Sequence, residues 1–181
     1  MTDQEYLDVF GQWVAGLPKD AEALKAVYEG ENVDREIKLM AVGALAYLLR
    51  KIDIVPDYLG GLGTVDDAMV LRLMAKKALP KGIEGVDASV IEHLQKMAQD
   101  VAVIEEFLGE DFSALEKYVD SLTSQPVRNR TPEKVLDDAE AAEQFAYELS
   151  DELRAYQVRS IDGGERALRE LRSFIRAKVN K

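Results

Sequence analysis

The longest uncharged apolar run of the chain, from Leu39 to Leu49, constrains its fold more than any other feature. Together with Ile37, these residues are apolar on nearly every face of a helix, which is typical of a helix surrounded by other helices. The run is too short to cross a bilayer, which needs about 20 apolar residues. We therefore expect a buried helix at the centre of a core.

Turn signals and helix caps divide the rest of the chain into helical segments, and no stretch of strict polar and apolar alternation favours a strand. With 181 residues, 47% of them hydrophobic, the chain is long enough to bury one ordinary core. The sequence therefore predicts an all-α fold: a single bundle of about eight helices around a central apolar helical hairpin.

We expect residues 1–181 to form one domain in which four parts follow one another. Residues 34–82 form the helical hairpin, and residues 83–122 form a pair of helices. The segment TSQPVRNRTP, residues 123–132, has the composition of an exposed linker. Residues 133–181 form the C-terminal helices.

Three local patterns predict where helices begin and end. Pro18 is expected to end the first helix, with a short second helix over Asp20–Glu29, because proline removes a helical hydrogen bond. Thr64 with Asp67 three residues later matches a capping box. Thr131, followed by proline, is expected to open a helix that reaches about Arg159.

The residue inventory excludes several kinds of chemistry. The chain has no cysteine, so disulfides, thiol nucleophiles and cysteine-bound metals are excluded. His93 is the only histidine and lies in a helical pattern without metal-site spacing, which favours an ordinary helix-surface residue. The net charge of −11 arises within residues 1–120, and such an acidic body repels phosphate backbones. We therefore expect no nucleic-acid partner.

The N-terminal sequence MTDQEYLDVF is acidic and has no basic region followed by an apolar stretch. A secretory signal needs both of these features. We accordingly predict a cytoplasmic protein without a transmembrane span.

Carboxylates are concentrated in the predicted hairpin, where four aspartates fall within fifteen residues. Pro56 and the glycines that follow it permit tight turns, so the chain doubles back and can bring these side chains together. Hard divalent cations such as Mg²⁺, Mn²⁺ and Ca²⁺ take oxygen ligands. The candidate metal ligands are Asp53, Asp57, Asp66 and Asp67.

Two other interpretations of the same aspartates remain open. Asp66 and Asp67 lie in the first turn of a predicted helix, where exposed N–H groups stabilise carboxylates. Asp57 can accept hydrogen bonds from turn amides, and Asp53 can pair with Arg50, Lys51 or Arg72. In the third interpretation the aspartates form a surface on which a partner docks.

The hairpin also resembles a known family. The resemblance rests on Ala44-Leu45-x-Tyr47, then Asp53-x-Val55-Pro56-Asp57, then Gly63-x-x-Asp66-Asp67, within residues 41–71. This arrangement is similar to the YkvA-like family, a domain of unknown function. The resemblance implies a small helical domain with an apolar hairpin, found in bacterial proteins, some of them membrane-associated. It implies no established activity.

The sequence departs from that family pattern at two places. Arg50 and Lys51 stand where the family usually has a small residue and proline, and Gly60-Gly61 replaces an apolar residue and proline. Both changes make the hairpin more polar or more flexible. They weaken any expectation that this hairpin enters a membrane.

The last predicted helix is basic and amphipathic. An apolar stripe of Leu168, Leu171, Ile175 and Val179 runs beside a row of arginines. Such a helix can lie on an anionic membrane, or its stripe can dock on the protein while the row meets the acidic N-terminal body. The charge imbalance favours docking. The arginines are Arg166, Arg169, Arg172 and Arg176.

No nucleophile and base are arranged together anywhere in the sequence, so we assign no catalytic residue and no established cofactor. The leading hypothesis is a non-catalytic helical module that contacts an unidentified protein partner, with peripheral membrane contact as one setting for it. The alternative is a Mg²⁺- or Mn²⁺-dependent hydrolase that uses the four aspartates of the hairpin.

Overall fold

The computed structural model describes residues 1–50 and 54–179, and for Asp57 and Tyr58 it describes only the backbone. Within these ranges the chain forms nine α-helices and no strand, which confirms the all-α prediction. Their bounds are α1 Asp3–Glu29, α2 Arg35–Tyr47, α3 Val65–Ala78, α4 Ala88–Gln99, α5 Val101–Leu108, α6 Phe112–Ser121, α7 Pro132–Asp137, α8 Ala139–Ala155 and α9 Glu165–Val179.

The centre of the bundle is α3, which is buried on nearly every face and packs against α1, α2 and α4. Helix α2 is buried from Ala41 to Tyr47, as its apolar run predicts. Between these two helices, the backbone over Asp57–Thr64 makes short 3-10 turns with a kink at Gly60, where φ is 65°. The α2–α3 pair therefore forms the predicted central hairpin.

The expectation that Pro18 ends the first helix is wrong. Helix α1 continues through Pro18 to Glu29. Proline has no N–H, so the carbonyl of Val14 loses its helical donor. The hydroxyl of Tyr156 donates to that carbonyl instead, at 2.6 Å. The packing of Leu17 and Ala21 into the core further holds the helix together across the proline.

The long helix expected between Thr131 and Arg159 is interrupted and ends earlier. Asp138 adopts an extended backbone, with φ −125° and ψ 116°, and its side chain caps α8 by accepting from the amide of Ala141. An aspartate with this geometry starts a new helix rather than continuing the old one. Helix α8 then ends at Ala155.

The segment 123–132, expected to be an exposed linker, contacts α8 and the chain just after α2. Arg130 is only 8% exposed and forms an ion pair with Glu148 on α8. Arg128 donates from Nε to the carbonyl of Leu49, just after α2, at 3.1 Å. Both arginines are therefore tied to neighbouring elements, which an exposed spacer would not require.

Helix α9 docks on the protein. Leu168, Leu171 and Ile175 of its stripe are buried. Arg176 donates to Asp111 at 2.8 Å, and Arg172 stacks on Phe107 with its guanidinium carbon 4.1 Å from the ring centre. These contacts match the docking interpretation. No helix in the described part of the chain is long and apolar enough to cross a membrane.

The other two arginines of that row form ion pairs within α9 itself. Arg166 contacts Glu170 at 2.9 Å, and Arg169 contacts Glu165. All four arginines thus have a partner within the protein. Membrane contact through them remains a prediction, and the buried stripe does not favour it.

Candidate docking site at the Asp hairpin

Asp66 lies in the first turn of α3 and is 1% exposed. Its Oδ2 accepts from the hydroxyl of Tyr47 at 2.6 Å, from the amide of Ile54 at 3.1 Å and from the amide of Val55 at 3.2 Å. The amide of Ile54 also lies 2.9 Å from the Tyr47 oxygen. One carboxylate oxygen therefore ties the end of α2 and the loop before Pro56 to the start of α3.

The environment of Asp66 changes its ionisation. Burial raises the pKa of Asp66 from 3.8 to about 7, even though the Tyr47 hydroxyl and the loop amides favour the charged form. Burial likewise raises the pKa of Tyr47 well above its usual value. Oδ1 of Asp66 makes no hydrogen bond among the described residues. It is therefore the oxygen that can take the proton without losing an accepted bond.

Asp67 has a different position from its neighbour. It lines a cleft of about 360 Å³ together with Arg50, Thr64, Glu152 and Arg159. The cleft lies between the hairpin and the end of α8, and its walls carry both signs of charge. Asp66 is not among the lining residues. Asp67 is itself only 8% exposed. Of the two adjacent aspartates, Asp66 thus lies in a buried hydrogen-bond network and Asp67 forms part of the wall of a cleft.

The predicted capping box at Thr64 does not form. The Thr64 hydroxyl donates to the carbonyl of Gly61 at 2.9 Å, and its side chain makes no cap to α3. The Thr64 backbone, with φ −113° and ψ 0°, differs from the extended conformation that a capping residue adopts. Thr64 is the last residue of the 3-10 turns that precede α3.

The four-aspartate metal site is described only in part. Asp53 lies outside the described residues, and the side chain of Asp57 is not described. Among the described residues, no group of three or more acidic or histidine side chains could hold a metal ion. Oδ2 of Asp66 already faces three donors, an arrangement that repels a cation rather than binding one. The metal site remains a prediction.

The arginines suggested as partners for Asp53 have other contacts. Arg50 donates to the hydroxyl of Tyr118 at 3.2 Å and to the side-chain oxygen of Gln125 at 2.7 Å. Its guanidinium also lies over the ring of Tyr47, 5.5 Å from the centre. These contacts place Arg50 at the edge of the cleft.

A buried ionic network forms around Arg72, which lies on α3 six residues after Asp66. Arg72 is 4% exposed and donates to Asp20 at 2.8 Å and to Asp100 at 3.0 Å. Its guanidinium carbon stacks 4.4 Å from the ring centre of Trp13. His93 lies 2.8 Å from the other oxygen of Asp20. The histidine therefore has a structural partner that its helix-surface pattern did not reveal.

The cleft is partly covered by the segment that follows α8. We call residues 156–162 the strap. The strap has no helical structure, and the carbonyl of its Ser160 accepts from the amide of Gly61 at 3.1 Å. The sequence did not predict this contact. Gly60-Gly61 was its only signal, since paired glycines mark sites where another backbone approaches closely.

Comparison with known families gives one match. Residues 37–73 match the model of DUF1232, a protein family of unknown function. No curated protein and no solved structure shows a significant match to the chain. The matched residues comprise most of α2, the loop and α3 as far as Leu73, so Tyr47, Asp66, Asp67 and Arg72 all lie inside them. The match supports a domain of unknown function and leaves the YkvA-like name as a prediction.

Proposed function

We propose that the protein is a non-catalytic helical interaction module in which the hairpin presents the cleft beside Asp67 to a protein partner. The observation that supports the proposal is that the two adjacent aspartates have different positions and contacts. Asp66 is buried and accepts three hydrogen bonds that shape the loop, whereas Asp67 lines the cleft. Because Oδ2 of Asp66 already accepts three hydrogen bonds, this carboxylate stabilises the loop rather than acting on a substrate.

The cleft has the composition of a polar docking site. Its lining includes two cationic side chains, Arg50 and Arg159, and two carboxylates, Asp67 and Glu152, so a partner surface of mixed charge would be complementary to it. Charged groups at such an edge select partners more than they add affinity. Three other concavities, of about 520, 390 and 270 Å³, lie elsewhere and include no residue of the hairpin loop or of α3. Among these concavities, the cleft is therefore the one to which the hairpin loop and α3 contribute, through Thr64 and Asp67.

The test compares Asp67→Asn with the wild type as baits in extracts of the cells that make the protein. We expect the wild type to retain a protein that Asp67→Asn retains at least about tenfold less, because a charged contact at the cleft is lost. The retained protein is then purified, and its affinity for both baits is measured by calorimetry. The control is Glu140→Gln, which changes an exposed carboxylate on α8 away from the cleft.

Equal melting temperatures for both variants would show that the loss is local. Equal affinity of the purified partner for wild type and Asp67→Asn would contradict a docking role for the cleft. Turnover of a substrate that requires Mg²⁺ or Mn²⁺ and is lost in Asp67→Asn would instead favour the hydrolase.

A further inference from the structure

His93 is held in one orientation by a buried carboxylate. Its Nε2 lies 2.8 Å from Oδ1 of Asp20, whose side chain is only 4% exposed. The other oxygen of Asp20 accepts from Arg72 at 2.8 Å, and Arg72 in turn pairs with Asp100 at 3.0 Å. Because the carboxylate paired with Arg72 accepts hydrogen bonds, we assign the proton of the neutral ring to Nε2. The buried network therefore determines which ring nitrogen contacts the protein.

The second ring nitrogen of His93, Nδ1, has no partner in the protein. It makes no hydrogen bond with any residue that the structure describes, and it is not among the buried polar atoms. With the single proton on Nε2, Nδ1 is an acceptor, and in the doubly protonated imidazolium it is a donor. The protonation state of the ring thus decides whether Nδ1 accepts or donates.

His93 lines a cavity of about 390 Å³ between α1 and α4. Two lysines line it as well, Lys19 from α1 and Lys96 from α4, and neither forms an ion pair in the described part of the chain. The hydroxyl of Ser89, also in the lining, has no hydrogen-bond partner there either. Two ammonium groups, a hydroxyl and an imidazole nitrogen therefore border one cavity. The other lining residues are Glu22, Ala23, Val90 and Glu92.

Positive charge is in excess among the unpaired groups of this cavity. Glu22 lies 3.7 Å from Lys25, and Glu92 is the one lining carboxylate without an ion pair among the described residues. The two lysines outnumber Glu92, and a protonated imidazole adds to the excess. Ammonium and hydroxyl donors together bind oxyanions through charge-assisted hydrogen bonds. In a protein with a net charge of −11, such a local excess determines where a small anion binds.

We infer that the cavity beside His93 binds a small tetrahedral oxyanion, either free phosphate or the phosphate group of a monoester. Lys19 and Lys96 supply the charge that attracts it. The hydroxyl of Ser89 and Nδ1 of the His93 imidazolium donate hydrogen bonds to its oxygens. Binding strengthens as the pH falls through the range in which histidine ordinarily gains a proton. The cavity shares no lining residue with the cleft beside Asp67, so the two sites are separate.

The test follows the ring signals of His93 in the proton NMR spectrum of the full chain, which contains no other histidine. Sodium sulfate is the first probe, because sulfate stays a dianion throughout the pH range used. At about pH 6 we expect a saturable shift with a dissociation constant of about 1 mM, which sodium chloride at equal ionic strength does not reproduce. At about pH 8 sulfate should bind about tenfold more weakly, because Nδ1 then no longer donates.

The same spectra distinguish the two forms of the ligand. Inorganic phosphate and phenyl phosphate are compared at about pH 8, where both are mainly dianions. Tighter binding of phenyl phosphate assigns a phosphate monoester as the ligand, and tighter binding of inorganic phosphate assigns the free ion.

Replacing both lysines, Lys19→Gln together with Lys96→Gln, should weaken sulfate binding at about pH 6 at least about tenfold. Both side chains are exposed, so the melting temperature should not change. Lys117→Gln, which changes an exposed lysine of α6 outside the cavity, is the control that should bind sulfate normally. Equal affinity of the double variant and the wild type would overturn the inference, as would the absence of a sulfate-specific shift. Equal affinities at pH 6 and pH 8 would overturn the role of His93.

Discussion

Replacing Asp66 with alanine is expected to lower the free energy of unfolding by about 3–5 kcal/mol. The change leaves the hydroxyl of Tyr47 and the amide of Val55 without their acceptor, whereas the amide of Ile54 keeps the Tyr47 oxygen. Each buried donor without a partner costs about 1–3 kcal/mol. In a chain of 181 residues this loss corresponds to a fall of about 10 °C in the melting temperature. Chemical denaturation at about pH 6, monitored by circular dichroism, measures it.

Asp66→Asn is the matched control because it keeps one acceptor oxygen for the three donors and cannot ionise. The pKa of Asp66 is raised to about 7, so the wild type gains its full stability from this group below its unfolded pKa, near 4, and loses it as the pH rises through 7. The asparagine variant lacks this loss. Its stability relative to the wild type should therefore rise by about 2–3 kcal/mol between about pH 5 and pH 8.

A constant difference between Asp66→Asn and the wild type across that pH range would show that Asp66 is ionised throughout. A small effect of Asp66→Ala would show that the loop does not depend on this carboxylate. The first result would contradict the raised pKa of Asp66, and the second would contradict its role in holding the loop to α3.

Replacing Arg72 with methionine is expected to destabilise the protein by about 3–5 kcal/mol, because it removes the guanidinium partner of the buried Asp20 carboxylate. Stacking on Trp13 is lost as well. Urea unfolding of the purified variant measures the loss. Replacing Arg72 and Asp20 together, by methionine and leucine, should restore much of the stability, since the uncompensated charge is then absent.

The control for Arg72 is the exposed pair of Arg35 and Asp137, whose atoms are as close, at 2.7 Å. Both side chains are more than half exposed, so solvent screens their attraction. Arg35→Met should leave the unfolding curve unchanged within error. Equal losses for the two arginines would mean that burial does not decide the energetics of these pairs.

Sequence patterns predicted the helical hairpin because its periodicity is local. The apolar run of α2 and the burial of α3 follow from which residues repeat along one helix. Which of the two aspartates lies in the buried hydrogen-bond network and which lines the cleft was not predictable in this way. It depends on the rotation of α3 relative to Tyr47 and the cleft, which packing against distant segments determines.

Pro18 illustrates the limit of local rules. Proline removes one helical hydrogen bond, and in isolation that predicts a helix end. Here Tyr156, far away in the sequence, donates to the carbonyl of Val14, and α1 continues. The ionic network of Arg72 with Asp20 and His93 was likewise not foreseen, because its members are far apart in sequence and no spacing links them.

In the function proposed above, the aspartates of the hairpin stabilise the fold and line a docking cleft rather than bind a metal ion. Calorimetric titration of the wild type with Mg²⁺, Mn²⁺ and Ca²⁺ tests it most directly, with melting temperatures measured in parallel. We predict no saturable heat and no rise in melting temperature with any of the three ions. Saturable heat that disappears in both Asp66→Asn and Asp67→Asn would contradict the claim and establish the metal site.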